Sequence, residues 1–401
     1  MTLERTLIVG ASHAGAQLAA SLRQEGWTGE IVLIGDEAAL PYQRPPLSKA
    51  YLAGKCTVDE LAIRNAEFYT KQRIQLLDAT VEAIDRSAGQ LSLNTGDALP
   101  YDKLALCTGA RPRRLPTPGA DLAGVFYLRT AADVEMIREA TSPGSRAVIV
   151  GGGYIGLETA ASLRALGLEV TVIEATERVL ERVTAPEVSA FFDRIHREEG
   201  VNIRTGALVK ALSGDGRIIR EVILAGGESI PADLVIVGIG VEPNTELAAA
   251  AGLVVDNGVV IDDQAQTSDS AIVAAGDCVS HDMARYGRRI RLESVPSAAE
   301  QAKVAAATLC GKSKKISALP WFWSDQYDLK LQIAGLNTGY DEVVLSGDPT
   351  RDRDFTCFYL RAGELIAADC INRPRDFMFS KRVITQQVPV ERAELMLAGS
   401  V

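Results

Sequence analysis

The sequence predicts an α/β protein made of two copies of one strand–turn–helix–strand unit, finished by a smaller α+β domain. Three observations predict it. "TLIVG" (6–10) leads through a glycine-bearing turn into "AGAQLAASLRQEGW" (14–27) and then "EIVLIGDE" (30–37). The same order returns at "RAVIVGGGYIGLETAASLRALGLEVTVIEA" (146–175), an internal repeat offset by about 140 residues. From "LPWFWSDQY" (319–327) the pattern becomes alternating strands, "LQIAG", "EVVLSG", "FTCFYL" and "LIAADCI", with a charged helix around 375–386.

Each element has a local reason. Residues 5–9 form a buried strand, and Leu18, Ala19 and Leu22 recur at helical spacing behind it. The prolines of "LPYQRPPLSKAYL" (40–52) stop regular structure until a helix restarts after Pro46. "LALCTGARP" (104–112) is a buried strand ending in a glycine turn, and the Pro-rich 110–119 reads as a linker. "DLVIVGIGVEPN" (233–244) has the same strand–turn–proline character and marks a second crossing between domains. "VPSAAEQAKVAAATLCG" (295–311) is an Ala-rich helix ending on glycine. The expected division is a discontinuous first domain, 1–112 with 242–318, a second domain at 113–241, and the α+β domain at 319–401.

Composition narrows the function classes. The 401 residues exceed one compact core. Lys plus Arg number 42 against 52 acids, a net charge of −10 that argues against nucleic-acid or anionic-membrane binding. The first apolar run reads as a strand rather than a signal peptide, and no apolar run reaches the length of a membrane span. The six cysteines (56, 107, 278, 310, 357, 370) never fall at a C-x-x-C or zinc spacing. Buried, reduced thiols, no metal and a cytoplasmic protein are expected.

The two turns carry the chemistry. "VGGGYIG" (150–156) sets Gly151, Gly153 and Gly156 at G-x-G-x-x-G spacing between a strand and a helix. The first glycine makes the tight turn, the second admits a pyrophosphate to the backbone, and the third lets helix pack on strand. The helix N-terminus adds unpaired N–H groups and partial positive charge. Glu174 follows Gly151 by 23 residues, where a carboxylate meets an adenosine ribose. It accepts from the 2′-hydroxyl and repels a 2′-phosphate, so NADH is expected over NADPH. The first copy keeps Gly10 and Gly15 but carries Ser12 between them, with Asp36 as its ribose acid. The Ser12 hydroxyl either bonds a phosphate or tolerates a wider approach. His13 reads as a solvent-edge turn residue rather than a base, because no acid or nucleophile flanks it.

"TSDSAIVAAGDC" (267–278) resembles the second flavin signature of glutathione-reductase-like flavoproteins with two Rossmann-like dinucleotide-binding domains. "RPPLSKAYLAGK" (44–55), "RVLERVTAPEVSAFF" (178–192) and "PWFWSDQY" (320–327) make the chain similar to the NADH-dependent ferredoxin reductases of bacterial oxygenase systems. The resemblance implies FAD on the first domain and NADH on the second. It implies Lys49 near the flavin N5, paired with Glu158, and Tyr154 as the aromatic cover displaced by nicotinamide. For FAD it further implies Ser12, His13, Ala14, Arg44, Val81, Thr108, Gly109, Arg129, Gly276, Asp277, Ser294, Val295 and Trp323. For NADH it adds Ile155, Arg182 and Gly240. Outside the resemblance, Lys49 also reads as a solvated residue behind a Ser48 cap, and Trp323 as core packing.

Disulfide reductases of this architecture need a redox cysteine pair beside the flavin, and none is spaced for it here. Electrons then leave the flavin singly or go directly to a small oxidant; the resemblance implies a 2Fe–2S ferredoxin taking single electrons for a haem-thiolate monooxygenase, docked through Arg64, Lys303 and Lys381. The runs "KSKK" (312–315) and "RYGRRIR" (285–291) read equally as solvated surface. A monomer or weak dimer is expected. The alternatives are another acceptor (a Rieske dioxygenase ferredoxin, rubredoxin or oxygen) or a flavin-based redox sensor.

Overall fold

A computed structural model describes residues 4–397, and the chain divides into two compact units. The first unit holds the chain up to Gln43, Thr57–Arg111 and Glu242–Ala318; the second holds Arg44–Cys56, Pro112–Val241 and the chain from Leu319.

The first unit is centred on a five-stranded parallel sheet, ordered Ile272–Ala274, Lys103–Leu106, Arg5–Val9, Glu30–Gly35, Ile74–Asp78. Leu7, Ile8, Leu33, Leu104 and Ile272 are completely buried, which explains why these strands read as continuous apolar runs rather than alternating ones. The helix His13–Glu25 follows the first strand and stops at Gly26, whose φ of 95° supplies the left-handed cap. It packs against Val295–Leu309, where Ala298, Ala302, Ala305 and Ala306 are buried and let the two helices approach closely.

In the second unit the corresponding parallel sheet runs Asn202–Arg204, Glu169–Ile173, Arg146–Val150, Leu234–Val237, Val125–Tyr127. The segment from Leu319 adds an antiparallel five-stranded sheet, ordered Trp321–Gln326, Leu329–Gly335, Glu364–Ile371, Phe355–Arg361, Glu342–Ser346. The helix Pro374–Gln386 covers that sheet, burying Phe377 and Ile384 in its core. The strand order switches sides beside Arg5–Val9 in the first sheet and beside Arg146–Val150 in the second, and the crevice at such a switch is where parallel sheets take ligands.

One local expectation fails. No helix restarts after Pro46: Pro45–Ser48 is a single 3-10 turn, ended by Lys49 at φ −125°, ψ −108°. The backbone leaves helical space at Lys49, and the preceding carbonyl is engaged from elsewhere, Ser162 Oγ donating to Ser48 O at 2.7 Å. That oxygen is the one a continuing helix would offer to residue 52.

Among the described residues no helix is long and apolar enough to cross a membrane, and no cluster of His, Cys, Asp and Glu is arranged to hold a metal ion. All six cysteines are free thiols; four are buried, and Cys56 and Cys310 are half-buried.

Candidate functional site

The intact glycine turn lies in the second unit between Arg146–Val150 and Tyr154–Ala165. Gly151 has φ +115°, and a Cβ there would stand 2.3 Å from Gly238 O. On Gly156 a Cβ would meet Gly151 O at 2.1 Å. These two glycines are required by the protein itself. Gly153 is different: its φ is −81°, and nothing lies within 4 Å of where its Cβ would be. Nothing in the described protein demands its smallness, which leaves the backbone open at the start of a helix that carries no acid in its first turn. A dinucleotide pyrophosphate fits this cradle.

The turn is held by its neighbours. Glu174 Oε2 accepts from Gly152 N at 2.7 Å, while Oε1 accepts from Thr176 N and Oγ1 at 2.8 and 2.9 Å. Those bonds aim the carboxylate and leave lone pairs for ribose hydroxyls. Leu180 N donates to Gly152 O at 3.0 Å, which lays the 178–183 loop over the turn. Arg182 is exposed there, with its guanidinium 3.9 Å from the position of a Cβ on Gly240. Gly151, Gly153, Glu174, Arg182 and Gly240 therefore converge. Ile155 is 45% exposed on the first helical turn, an apolar side chain left facing outward.

The first unit carries the second turn in the same geometry. Gly10 has φ +108°, and a Cβ would stand 2.1 Å from Cys107 O; on Gly15 it would meet Gly10 O at 2.0 Å. Register aligns the two turns, because Gly10 N donates to Ile34 O as Gly151 N does to Ile173 O. Ser12 thus stands in the place of Gly153, at φ −121°, ψ −153°, ordinary extended backbone. The middle glycine never needed a left-handed conformation, so serine costs the turn nothing. Register also puts Gly35 in the place of Glu174, where a Cβ would run 2.6 Å from Ala11 Cβ. Asp36 follows one position later and is exposed, and Glu37 beside it accepts the Tyr42 hydroxyl.

Other first-unit residues gather at this turn. Gly276 (φ +95°) lies against the helix start, a Cβ there standing 3.0 Å from Ala14 Cβ, and its N–H donates to the buried Gln301 at 2.8 Å. Asp277 next to it is half-buried. Thr108 Oγ1 donates to Asn244 O at 2.6 Å and Asn244 N to Gly109 O at 3.0 Å, clamping the strand end to the returning chain. Ser294 caps the helix that Val295 begins, accepting from Ser297 N at 3.3 Å. Val81 is buried in the core of the unit.

Back in the second unit, Lys49 and Glu158 meet. Lys49 Nζ lies 2.5 Å from Glu158 Oε2, with side-chain exposures of 20% and 5%. The same oxygen accepts Ser48 Oγ at 2.6 Å, and Oε1 accepts Ser324 Oγ at 2.6 Å. Ser48 is thus not a helix cap, and Lys49, though partly exposed, is bound within the protein: its ammonium also donates to Pro45 O at 3.0 Å. Arg44 Nη1 donates to Arg129 O at 2.8 Å, which ties this segment to the start of Ala131–Ala140.

Two matched periods build the pair. Tyr154 and Glu158 are one i, i+4 stripe on their helix, about 6 Å apart along its axis. Phe322 and Ser324 are successive residues on one face of Trp321–Gln326, about 6.7 Å apart. The stripes therefore meet in register: Tyr154 packs on Phe322 with ring centroids 5.0 Å apart, and Glu158 bonds Ser324. Trp323 points from the opposite face, where it packs on Trp321 at 5.6 Å. Lys381 sits over that same Trp321 ring at 5.0 Å. Arg64, over Phe68, and the exposed Lys303 belong to the first unit.

The Tyr154 hydroxyl is buried without a hydrogen-bond partner, as is Asp369 Oδ1. Burial and the neighbouring Asp369 carboxylate push the phenol well up. Asp369 is itself raised by burial to about 6, although Thr184 and Tyr359 donate to its other oxygen at 2.5 Å. A raised carboxyl stabilises the fold below its ordinary value and loses that contribution as pH rises through about 6. Asp369→Asn is expected to gain about 2 kcal/mol relative to the parent between about pH 4.5 and 7.5, read by denaturant melts at each pH. A pH-independent difference would count against it.

Sequence reasoning missed Ser48 as a partner of Glu158, and missed Phe322, Ser324, Gln326 and His196 altogether. The available signal was the polar run Ser324-Asp325-Gln326 closing a strand that opens on three aromatic residues.

Comparison with known proteins agrees with this geometry. The family model described as pyridine nucleotide-disulphide oxidoreductase matches residues 4–302, and the reductase C-terminal model matches 321–398. The chain is 49% identical to putidaredoxin reductase CamA of Pseudomonas putida, over 97% of this chain and 93% of that protein. It is 43% identical to rhodocoxin reductase of Rhodococcus erythropolis, over 96% and 90%. Among solved structures it resembles the covalent putidaredoxin reductase–putidaredoxin complex with a TM-score of 0.95 and 47% identity, covering 98% of this chain and 96% of that one. Two glycine turns on parallel sheets, followed by an antiparallel C-terminal sheet, are thus accounted for by descent as well as by physics: the chain belongs to the pyridine nucleotide-disulphide oxidoreductase family, in the branch that carries the reductase C-terminal domain.

Proposed function

We propose that this protein is an NADH-dependent ferredoxin reductase carrying FAD, which passes single electrons to a 2Fe–2S ferredoxin serving a haem-thiolate monooxygenase. The observation that carries the reading is the Lys49–Glu158 pair, whose carboxylate rises from the helix that begins at the intact glycine turn. The FAD-binding domain is read as 1–112 with 242–318, the NAD-binding domain as 113–241, and the C-terminal domain as 319–401. The relatives named as putidaredoxin and rhodocoxin reductases support the choice of acceptor. Free thiols support placement in the cytoplasm.

FAD, when bound, supplies the step from a hydride to single electrons. The chain's own residues do the rest. Gly10, Ser12, His13, Ala14 and Gly15 offer the helix end to one pyrophosphate; Asp36, Thr108, Gly109, Gly276, Asp277, Ser294, Val295 and Val81 line that cofactor in the same unit. Gly151, Gly153, Ile155, Gly156, Arg182 and Gly240 receive the nicotinamide dinucleotide, and Glu174 orients its ribose. Tyr154 shields the reacting face, and Arg44, Arg129 and Trp323 complete the flavin contacts. Lys49, held by Glu158, places fixed positive charge where negative charge develops on the acceptor ring. Arg64, Lys303 and Lys381 are read as docking positions for the acidic partner.

Anaerobic mixing with NADH is expected to bleach the flavin absorbance, and NADPH to do so far more slowly. Cytochrome c reduction should then depend on added 2Fe–2S ferredoxin. Glu174→Ala is expected to narrow the NADH preference about 10-fold, the loss of roughly one charge-assisted bond and one repulsion. Equal rates with both nucleotides in the parent would defeat the Glu174 assignment; fast turnover with oxygen or rubredoxin and none with ferredoxin would replace the acceptor.

A further inference from the structure

Glu158 is the terminus of a buried hydrogen-bonded chain that leads away from the nucleotide residues. Ser324 Oγ lies 2.6 Å from Glu158 Oε1, and Gln326 Nε2 lies 3.2 Å from Ser324 Oγ. Gln326 Oε1 is 2.8 Å from His196 Nε2, and His196 Nδ1 is 3.0 Å from the Tyr327 hydroxyl. Ser324, Gln326 and His196 are 1%, 2% and 0% exposed, so each must find its partners within the protein.

The direction of every proton in this chain follows from its first member. A carboxylate only accepts, so Ser324 gives its single hydrogen to Glu158. Ser324 Oγ must then receive from the Gln326 amide N–H, which turns Gln326 Oε1 toward His196. That oxygen also only accepts, so Nε2 carries the ring proton. Burial lowers His196 to about 4, leaving the ring neutral and Nδ1 a bare lone pair. Tyr327 must therefore donate. All four hydrogens point toward Glu158.

A second observation marks the far end. Tyr327 has φ 56° in the two-residue turn between Trp321–Gln326 and Leu329–Gly335. This left-handed conformation is unfavourable for a residue with a side chain, and Gly or Asn is the ordinary occupant. A tyrosine held there is explained by its hydroxyl on His196, against which its ring also packs at 5.1 Å.

We propose that Gln326 and His196 are positioning residues for hydride transfer: their one-way chain holds Glu158 as an acceptor of fixed orientation and, through it, the Lys49 ammonium. Reversing the chain requires Glu158 to become a donor, which Glu158→Gln permits, since an amide can offer N–H to Ser324. The functional part rests on the reductase reading above; the direction of the chain does not.

The test uses the FAD-loaded full chain labelled with 15N-histidine, in which only His13, His196 and His281 contribute ring signals. His196 is expected as the neutral Nε2–H tautomer, shifting to a mixture or to Nδ1–H in Glu158→Gln. An Nδ1–H ring in the parent, or a ring unchanged by Glu158→Gln, overturns the inference. Gln326→Leu is expected to slow flavin reduction at saturating NADH about 10-fold with the KM for NADH unchanged; a parental rate overturns the positioning role. Should Gln326→Leu fail to fold, Tyr327→Phe, which deletes one hydroxyl, decides: Gln326 Oε1 still only accepts, so the His196 ring is required to stay Nε2–H, and a ring that moves to Nδ1–H or to a mixture refutes a direction set from Glu158. A parent that NADH does not bleach would sink the reductase reading instead, with the ring signals still judging the chain.

Discussion

Lys49→Met is expected to slow NADH-dependent reduction of the bound flavin about 100-fold while leaving NADH affinity within about 2-fold. The asymmetry follows from where the ammonium sits. Its hydrogen bonds go to Glu158, Ser48 and Pro45, outside the Gly151–Gly156 turn, so it is expected to contribute little to holding the nucleotide. Its charge matters when charge develops on the acceptor, which is a transition-state effect. The pair also has a structural share. Removing one partner of a buried ion pair commonly costs about 3–5 kcal/mol, but Ser48 and Ser324 continue to donate to the carboxylate and Lys49 is partly exposed. A stability loss of about 2 kcal/mol is therefore expected. Stopped-flow reduction across an NADH series separates the two effects, and a rate constant within about 3-fold of the parent would remove Lys49 from the chemistry.

Gly151→Ala and Gly153→Ala are expected to fail in opposite ways. At Gly151 the methyl would run into Gly238 O at 2.3 Å on a backbone of φ +115°. Neither the carbonyl nor the dihedral can yield cheaply, and a loss of about 3 kcal/mol or more in stability is expected. At Gly153 the φ is −81° and the space is open, so stability should stay within about 0.5 kcal/mol. NADH affinity should nonetheless fall at least about 10-fold, because the methyl occupies the approach of the pyrophosphate. Thermal melts and NADH titrations of both variants suffice. Parental NADH affinity in Gly153→Ala would mean that the dinucleotide does not cross this turn. The comparison also bears on Ser12, which occupies the Gly153 position of the other turn: Ser12→Gly should leave stability unchanged within the same margin.

Much of the fold was legible because its signals are local. The glycine spacing of each turn lies within seven residues, and a tight turn, a helix start and a close packing contact are properties of that stretch alone. Continuous apolar runs announced buried parallel strands, and their order along the chain announced the repeat. Glu174 could be placed for the same reason, since a strand of five residues after a helix of twelve delivers its end to the turn it came from. The failed helix after Pro46 shows the limit of local signals: the backbone turns out of helical space at Lys49, where the Ser48 carbonyl is bonded by Ser162, more than a hundred positions away.

Sequence by itself thus determined the two nucleotide turns, the acid at the second, and the class of the fold; Lys49 and Glu158 were paired by resemblance rather than by spacing. Tertiary structure decided how that pair is held. Glu158 is joined to Ser48, Lys49 and Ser324 across 110, 109 and 166 residues of chain, and no periodicity spans such distances. What brings them together is the near-equality of a helical i, i+4 step and a strand's two-residue repeat, which lets one stripe of side chains read another only after both elements have packed. The same packing decided Ser12. Its place in the turn is an extended backbone with room for a side chain, a fact carried by dihedral angles and neighbouring atoms rather than by the letter that stands where a glycine was expected.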